Sequence, residues 1–257
     1  MSKILSLLIF LSISLTASAQ LHFVAADSII TWDNDIANLR TTALHASQQL
    51  RPQQIVANES QLEALQTAWQ KEMQHPAIPT SAFAAANRFS LAARLLSLTA
   101  DARYALDMEQ LIYGPLLQEM DTPTLSAEKV TAAQTLLNAV GTMLATRGDT
   151  VFVNFYANAT AMTPHSQGNF QLDLITGMPF HERVKLRFAK MPIPQGMKIT
   201  FCLRLPAGEW TDKTLPIYCN GHDTPYRVEK GYAVITNTWR PGFEIYFDFP
   251  APLLEMR

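Results

Sequence analysis

The sequence predicts an α+β protein in which a short antiparallel helical segment precedes an antiparallel β-sandwich. Up to Gly148, apolar residues recur at the spacing of one helix face; beyond it they alternate with polar ones, as a half-buried strand requires. After Thr150 the alternating runs are short and separated by turn residues, about eight strands in all, which is the pattern of a sandwich. The chain accordingly divides into residues 1–19, a helical segment over 20–148 and a β domain over 149–257.

The first nineteen residues read as an export signal. Met1 to Lys3 give a basic start, Ile4 to Leu15 an apolar run broken only by serines, and Ala17-Ser18-Ala19 the small residues a signal peptidase accepts. Cleavage is expected to leave Gln20 first. The run is too short to span a bilayer and no later stretch is long and apolar enough. The mature chain is therefore expected to be secreted or periplasmic, with no membrane span.

Leu21 to Val24 and Ile29 to Trp32 fit short strands, and Ile36 to Leu50 fits a helix. Leu62, Leu65, Trp69 and Met73 share a face of a helix from about Glu59 to His75; Asn58 can cap it, and Pro76 and Pro79 end it. Phe89, Ala92, Leu95 and Leu96 stripe a second helix over Phe83 to Leu98. After the Thr99-Ala100-Asp101 break, Tyr104 to Met120 forms a third, and Ala127 to Thr146, started by Pro123 and Ser126, a fourth. Short links of this kind pack helices as antiparallel hairpins.

In the β half, Val151, Val153 and Phe155 alternate with their neighbours, as do Phe170, Leu172 and Leu174. Val184, Leu186 and Phe188 follow the same rule, then Ile199, Phe201, Leu203 and Leu205, and last Phe243, Ile245, Phe247 and Phe249. Pro194-Gln195-Gly196, Asn220-Gly221, Lys230-Gly231 and Pro241-Gly242 supply the turns. One polar face per strand suits an antiparallel sheet with a solvated side. This domain is expected to carry most of the stability and to fold alone.

With Lys3 removed, 19 basic residues face 22 acidic ones, and no basic run exists, so nucleic acid is excluded as a partner. Cys202 and Cys219 leave two readings open: a disulfide, which an oxidising compartment permits, or two buried thiols. Without a neighbouring His cluster they make no zinc site, and no cofactor is expected. His165, His181 and His222 fall in loops, apart from one another, and read as solvated. Glu209, Asp212 and Asp223 could supply the paired carboxylates of glycoside hydrolysis, although Asp beside a turn commonly caps it. Trp210 and Trp239 could stack on a sugar ring or pack over the end of the sandwich.

Leu98-Thr99-Ala100-Asp101-Ala102-Arg103-Tyr104, followed by Glu109 and Tyr113-Gly114, resembles the stretch near the end of the helical barrel in glycoside hydrolase family 127, the β-L-arabinofuranosidases. Gly148-Asp149 and Val151 to Tyr156 are similar to the family's entry into its β-sandwich. Leu203-Arg204-Leu205-Pro206, Asn220-Gly221, Lys230-Gly231-Tyr232, Trp239-Arg240-Pro241-Gly242 and Phe249-Pro250-Ala251-Pro252 follow in family order. Each motif alone is a turn or a core strand; their collinearity from about Thr80 to Pro252 carries the resemblance. It implies that residues 20–148 are a remnant of the end of an α/α barrel.

The resemblance also implies a departure. Family enzymes hold zinc with one Glu and three Cys, one of them the proposed nucleophile. Counting from the motifs, the first pair of ligand positions falls at Ser81-Ala82-Phe83 and the second at Ala127-Glu128. All four ligands are lost, and a phenyl or methyl group cannot replace a thiolate. No catalytic, cofactor or metal residue is therefore assigned, and a non-catalytic module binding carbohydrate or protein is expected. A hydrolase with a relocated site built on Glu209 and Asp212 is the alternative. The shortened helical segment is expected to leave Leu91, Leu95, Leu111, Ile112, Leu116 and Leu117 as an exposed apolar face for self-association or a protein partner.

Overall fold

A computed structural model describes residues 21–24, 28–29, 61–74, 78–178 and 181–249 of the chain. The export signal, the helix expected over Ile36 to Leu50, the cap at Asn58 and the closing Pro250-Ala251-Pro252 lie outside the described residues.

Two short strands open the described chain, β1 (His22–Val24) and β2 (Ser28–Ile29). Helix α1 (Leu62–Met73) lays Leu62, Leu65 and Trp69, all half-buried, against the core, as their shared face requires. Helix α2 (Ala82–Thr99) is started by the Ser81 hydroxyl, which accepts the Phe83 N–H at 3.2 Å, and ended by Ala100 in the left-handed region. Asp101 caps α3 (Ala102–Leu111) in the same way, and Ser126 caps α5 (Ala127–Thr142). Between them, the single helix expected over Tyr104 to Met120 is three pieces. A π-helical turn (Ile112–Leu116) separates α3 from α4 (Leu117–Met120), because Pro115 has no N–H to donate and Gly114 takes a non-helical conformation.

Helix α5 ends at Thr142, four residues before the helical reading does. Leu144 instead opens β3 (Leu144–Arg147), which turns at Gly148 into β4 (Thr150–Val153). Strands β5 (Ala159–Thr163), β6 (Phe170–Thr176), β7 (Arg183–Lys190), β8 (Met197–Arg204), β9 (Tyr218–Cys219), β10 (His222–Asp223), β11 (Arg227–Glu229), β12 (Tyr232–Trp239) and β13 (Glu244–Asp248) complete the order. They form two sheets, β1-β3-β4-β8-β12-β11 and β10-β9-β13-β7-β6-β5-β2. Every pairing is antiparallel except β4 with β8. Three strands, β1, β2 and β3, enter these sheets from before residue 149.

Inward-facing aromatics join the sheets. Phe188 of β7 stacks on Trp239 of β12 with centroids 4.9 Å apart and meets Phe201 of β8 edge-on at 5.4 Å. Tyr156 meets Phe247 and Phe249 similarly.

The exposed helical face expected from the sequence is absent. Leu95, Leu111, Ile112 and Leu116 are buried, and Leu91 and Leu117 are half-buried. The cover comes from within the chain: α2 packs against α1, α3 and α5, and the π-helical turn against α5. Leu21, itself buried, donates its N–H to Ser97 O at 2.7 Å.

Candidate functional site

Among the arrangements that bring polar groups together at the helical segment, three bear on a candidate site. The first lies where helices meet sandwich. Arg204, at the end of β8, has a side chain with no solvent exposure and reaches the Glu109 carboxylate of α3 at 2.5 Å. Its Nε donates to Asn154 O at 2.7 Å, and the Tyr156 hydroxyl donates to the Arg204 carbonyl at 2.7 Å. Asn154 is held in turn, accepting from the Tyr232 hydroxyl and donating to Thr142 O. Burial pushes the Glu109 carboxyl up from its ordinary value, against the pull of Arg204. Every group is enclosed and satisfied, so this network joins layers and offers no open position to a substrate.

The second lies at the N-terminal ends of α2 and α5. The Glu128 carboxylate accepts the Ser81 hydroxyl at 3.2 Å and the Ala82 N–H at 3.3 Å, so a side chain from the first turn of α5 caps α2. Ile78, Phe83 and Leu125 are exposed large apolar residues close by in sequence.

The third is a groove of about 340 Å³ between the start of α3 and the loops after β8 and β11. Asp101, Arg103, Leu205, Trp210, Val228 and Lys230 are among its walls. The half-buried Trp210 indole is fixed by donating its N–H to Pro206 O at 3.0 Å. Lys230, in the same lining, donates from Nζ to Thr99 O, and its carbonyl accepts the Ala102 N–H at 2.9 Å. Gly231 follows at φ +78°, where a Cβ would come within 2.8 Å of the Ala102 Cβ. Two distant motifs, Thr99 to Arg103 and Lys230-Gly231, are thus packed onto each other.

Of the histidines, carboxylates and tryptophans singled out in the sequence, Trp210 lines this groove and His181 lines another, of about 430 Å³, with Glu182, Arg183 and Asp248. Trp239 cannot stack on a sugar: it is fully buried, sandwiched by Phe188 and donating its indole N–H to Ile199 O at 3.0 Å. Cys202 and Cys219 are free, buried thiols, one in each sheet, so the disulfide reading gives way to the thiol one. His165 is not solvated: its side chain is 1% exposed, and Nε2 lies 3.4 Å from Asp149 Oδ1. His181 and His222 are exposed, as are Glu209 and Asp223, while Asp212 is half-buried. Among the described residues no group of three or more His, Cys, Asp or Glu could hold a metal ion, and no helix is long and apolar enough to cross a membrane.

Residues 150–251 match the model of the β-L-arabinofuranosidase GH127 middle domain. That stretch is a relative of the GH127 middle domain. Among solved structures, a GH127 β-arabinofuranosidase aligns with a TM-score of 0.57 at 19% identity, covering 66% of this chain and 32% of its own. A glycoside hydrolase aligns with a TM-score of 0.56 at 21% identity over 69% of this chain and 34% of its own. A GH127 β-L-arabinofuranosidase from Geobacillus stearothermophilus T6 gives 0.56 at 19% identity, over 69% and 32%. At these identities the likeness is one of fold. The chain spans about a third of the length of these structures. No curated protein matches it.

Set against the ligand positions that the sequence resemblance implies, the cap between α2 and α5 takes on meaning. The four positions at which the resemblance places zinc ligands are Ser81, Phe83, Ala127 and Glu128, and the structure brings the Ser81 and Glu128 side chains into contact. They do not fit the metal. The only strong donor, the Glu128 carboxylate, is engaged at the end of α2, and hydroxyl, phenyl and methyl groups stand where thiolates would be needed. Sequence reasoning located these positions but missed that Glu128 ties the two helix ends together.

Proposed function

We propose that this chain is an exported, non-catalytic GH127 relative that binds carbohydrate. The observation that carries the proposal is the Glu128 cap on Ser81 and Ala82, at 3.2 and 3.3 Å. A retained thiolate–zinc centre would need soft, deprotonated ligands at those positions; a hydrogen-bonded helix cap serves stability instead. Export rests on the basic, apolar and Ala-x-Ala pattern of residues 1–19. Carbohydrate is favoured over a protein partner because the leucines expected to form a docking face are mostly inside the chain, whereas Trp210 stands in a groove.

The test combines metal analysis of the purified mature chain, an arabinose-release assay on β-L-arabinofuranosides, and a glycan array. The expected result is no stoichiometric zinc, no sugar release and retention of a subset of glycans. One zinc per chain or catalytic release of arabinose would overturn the non-catalytic reading, and an array with no retained glycan would overturn the binding one.

A further inference from the structure

We propose that the groove beside Trp210 binds a sugar residue carrying a carboxylate, a uronate within a longer glycan. The inference rests on the carbohydrate-binding reading above and specifies its ligand.

The groove has the two-sided character of a sugar ring. One wall is the indole of Trp210, held by its bond to Pro206 O and able to take the C–H face of a ring. Charged side chains line the same groove. Arg103 and Lys230 bring two cations against one anion, Asp101. Asp101 is already engaged, accepting Arg103 Nε at 2.8 Å and the Arg103 N–H at 3.1 Å. The Lys230 ammonium, by contrast, meets a neutral carbonyl, Thr99 O, at 2.8 Å. The groove is thus net positive in a chain whose formal charge is −2, and one carboxylate would balance it.

Lys230 is also well placed to select. It sits at φ +49° on a hairpin pinned by Ala102 N–H, so its stem leaves a fixed point of the backbone. Apolar Leu205 and Ala102 share the lining with it and Trp210, as in many small-ligand sites that combine apolar walls with a few polar groups. A neutral sugar would use the indole alone. A uronate would use the indole and the ammonium together, and the charge-assisted bond would add specificity.

Calorimetric titration of the whole mature chain with trigalacturonate, its methyl ester and a triglutamate peptide tests this. The acid is expected to bind about tenfold more tightly than the ester, as one net charged hydrogen bond allows. Added sodium chloride should weaken the acid and leave the ester nearly unchanged. Lys230→Gln should abolish the difference between acid and ester, and Trp210→Ala should weaken both. Equal binding of acid and ester, indifference to both substitutions, or peptide binding as tight as the acid's would overturn the proposal. Retention of neutral glycans only would sink the uronate assignment and leave carbohydrate binding standing; absence of all glycan binding would remove both.

Discussion

Glu109→Leu offers the sharpest test of how the helical segment and the sandwich depend on each other. The substitution removes the anion facing Arg204, whose side chain has no solvent exposure. The guanidinium then keeps two carbonyls, Asn154 O and Leu205 O, as hydrogen-bond partners, beside the rings of Tyr156 and Phe249. Breaking a buried pair by removing one member costs about 3–5 kcal/mol, because the remaining charge has neither water nor counter-ion. In a chain of this size that corresponds to a fall in Tm of roughly 6–20 °C. Adding Arg204→Met should recover much of the loss, since two apolar groups of similar volume leave no stranded charge. The exposed pair Arg183–Asp248 is the control: Asp248→Asn should cost no more than about 1 kcal/mol despite its 2.7 Å contact. Urea unfolding followed by circular dichroism measures the three variants against the parent chain. If Glu109→Leu costs no more than Asp248→Asn, or the double variant is worse than the single, the network does not join the layers as argued.

Three further outcomes are expected. Gly231→Ala should destabilise by about 1–3 kcal/mol, since its Cβ meets Ala102 at 2.8 Å at a positive φ, and should cost more than Gly221→Ala, where nothing lies within 4 Å; urea midpoints compare the two. Burial pushes the Cys202 thiol up to about 12 and raises Cys219 as well, so a thiol reagent at neutral pH should label neither in the native protein and both in denaturant. A fragment of residues 150–257 should fail to melt cooperatively, because it lacks β1, β2 and β3 and the Glu109 partner of Arg204; a sharp thermal transition in that fragment would restore the expectation of an autonomous β domain.

The strands were the most legible part of the chain, because runs such as Val184, Leu186, Phe188 present one face to a single core. Helix α2 was legible through its stripe of Phe89, Ala92, Leu95 and Leu96, and α5 through the Pro123 and Ser126 that start it. What was hidden depended on neighbours distant in sequence. Leu144 follows an Ala- and Leu-rich helix without interruption, and only the hairpin with β4 makes it a strand. The burial of Leu95, Leu111 and Leu116 required knowing what packs around α2 and the π-helical turn. Trp210 and Trp239 both stand beside turns, and local pattern gives no sign that one faces a groove while the other fills the core. At the candidate site, the loss of thiolates was readable position by position, but the contact between Ser81 and Glu128 was not, as it joins helices 46 and 47 residues apart in the chain.

The parallel pairing of β4 with β8 has a consequence for how such a chain can change over time. A parallel neighbour cannot be reached by a tight turn, and here the route between the two strands passes through β5, β6 and β7 of the other sheet. The sheets are interlaced, so neither is a separable unit. Strand β1 adds a further tie, pairing His22 with Thr146 from the far side of the helices. Pairings at such sequence distance form slowly, and on this route they must form together. The sandwich therefore has no partial form in which one sheet keeps its strands without the other.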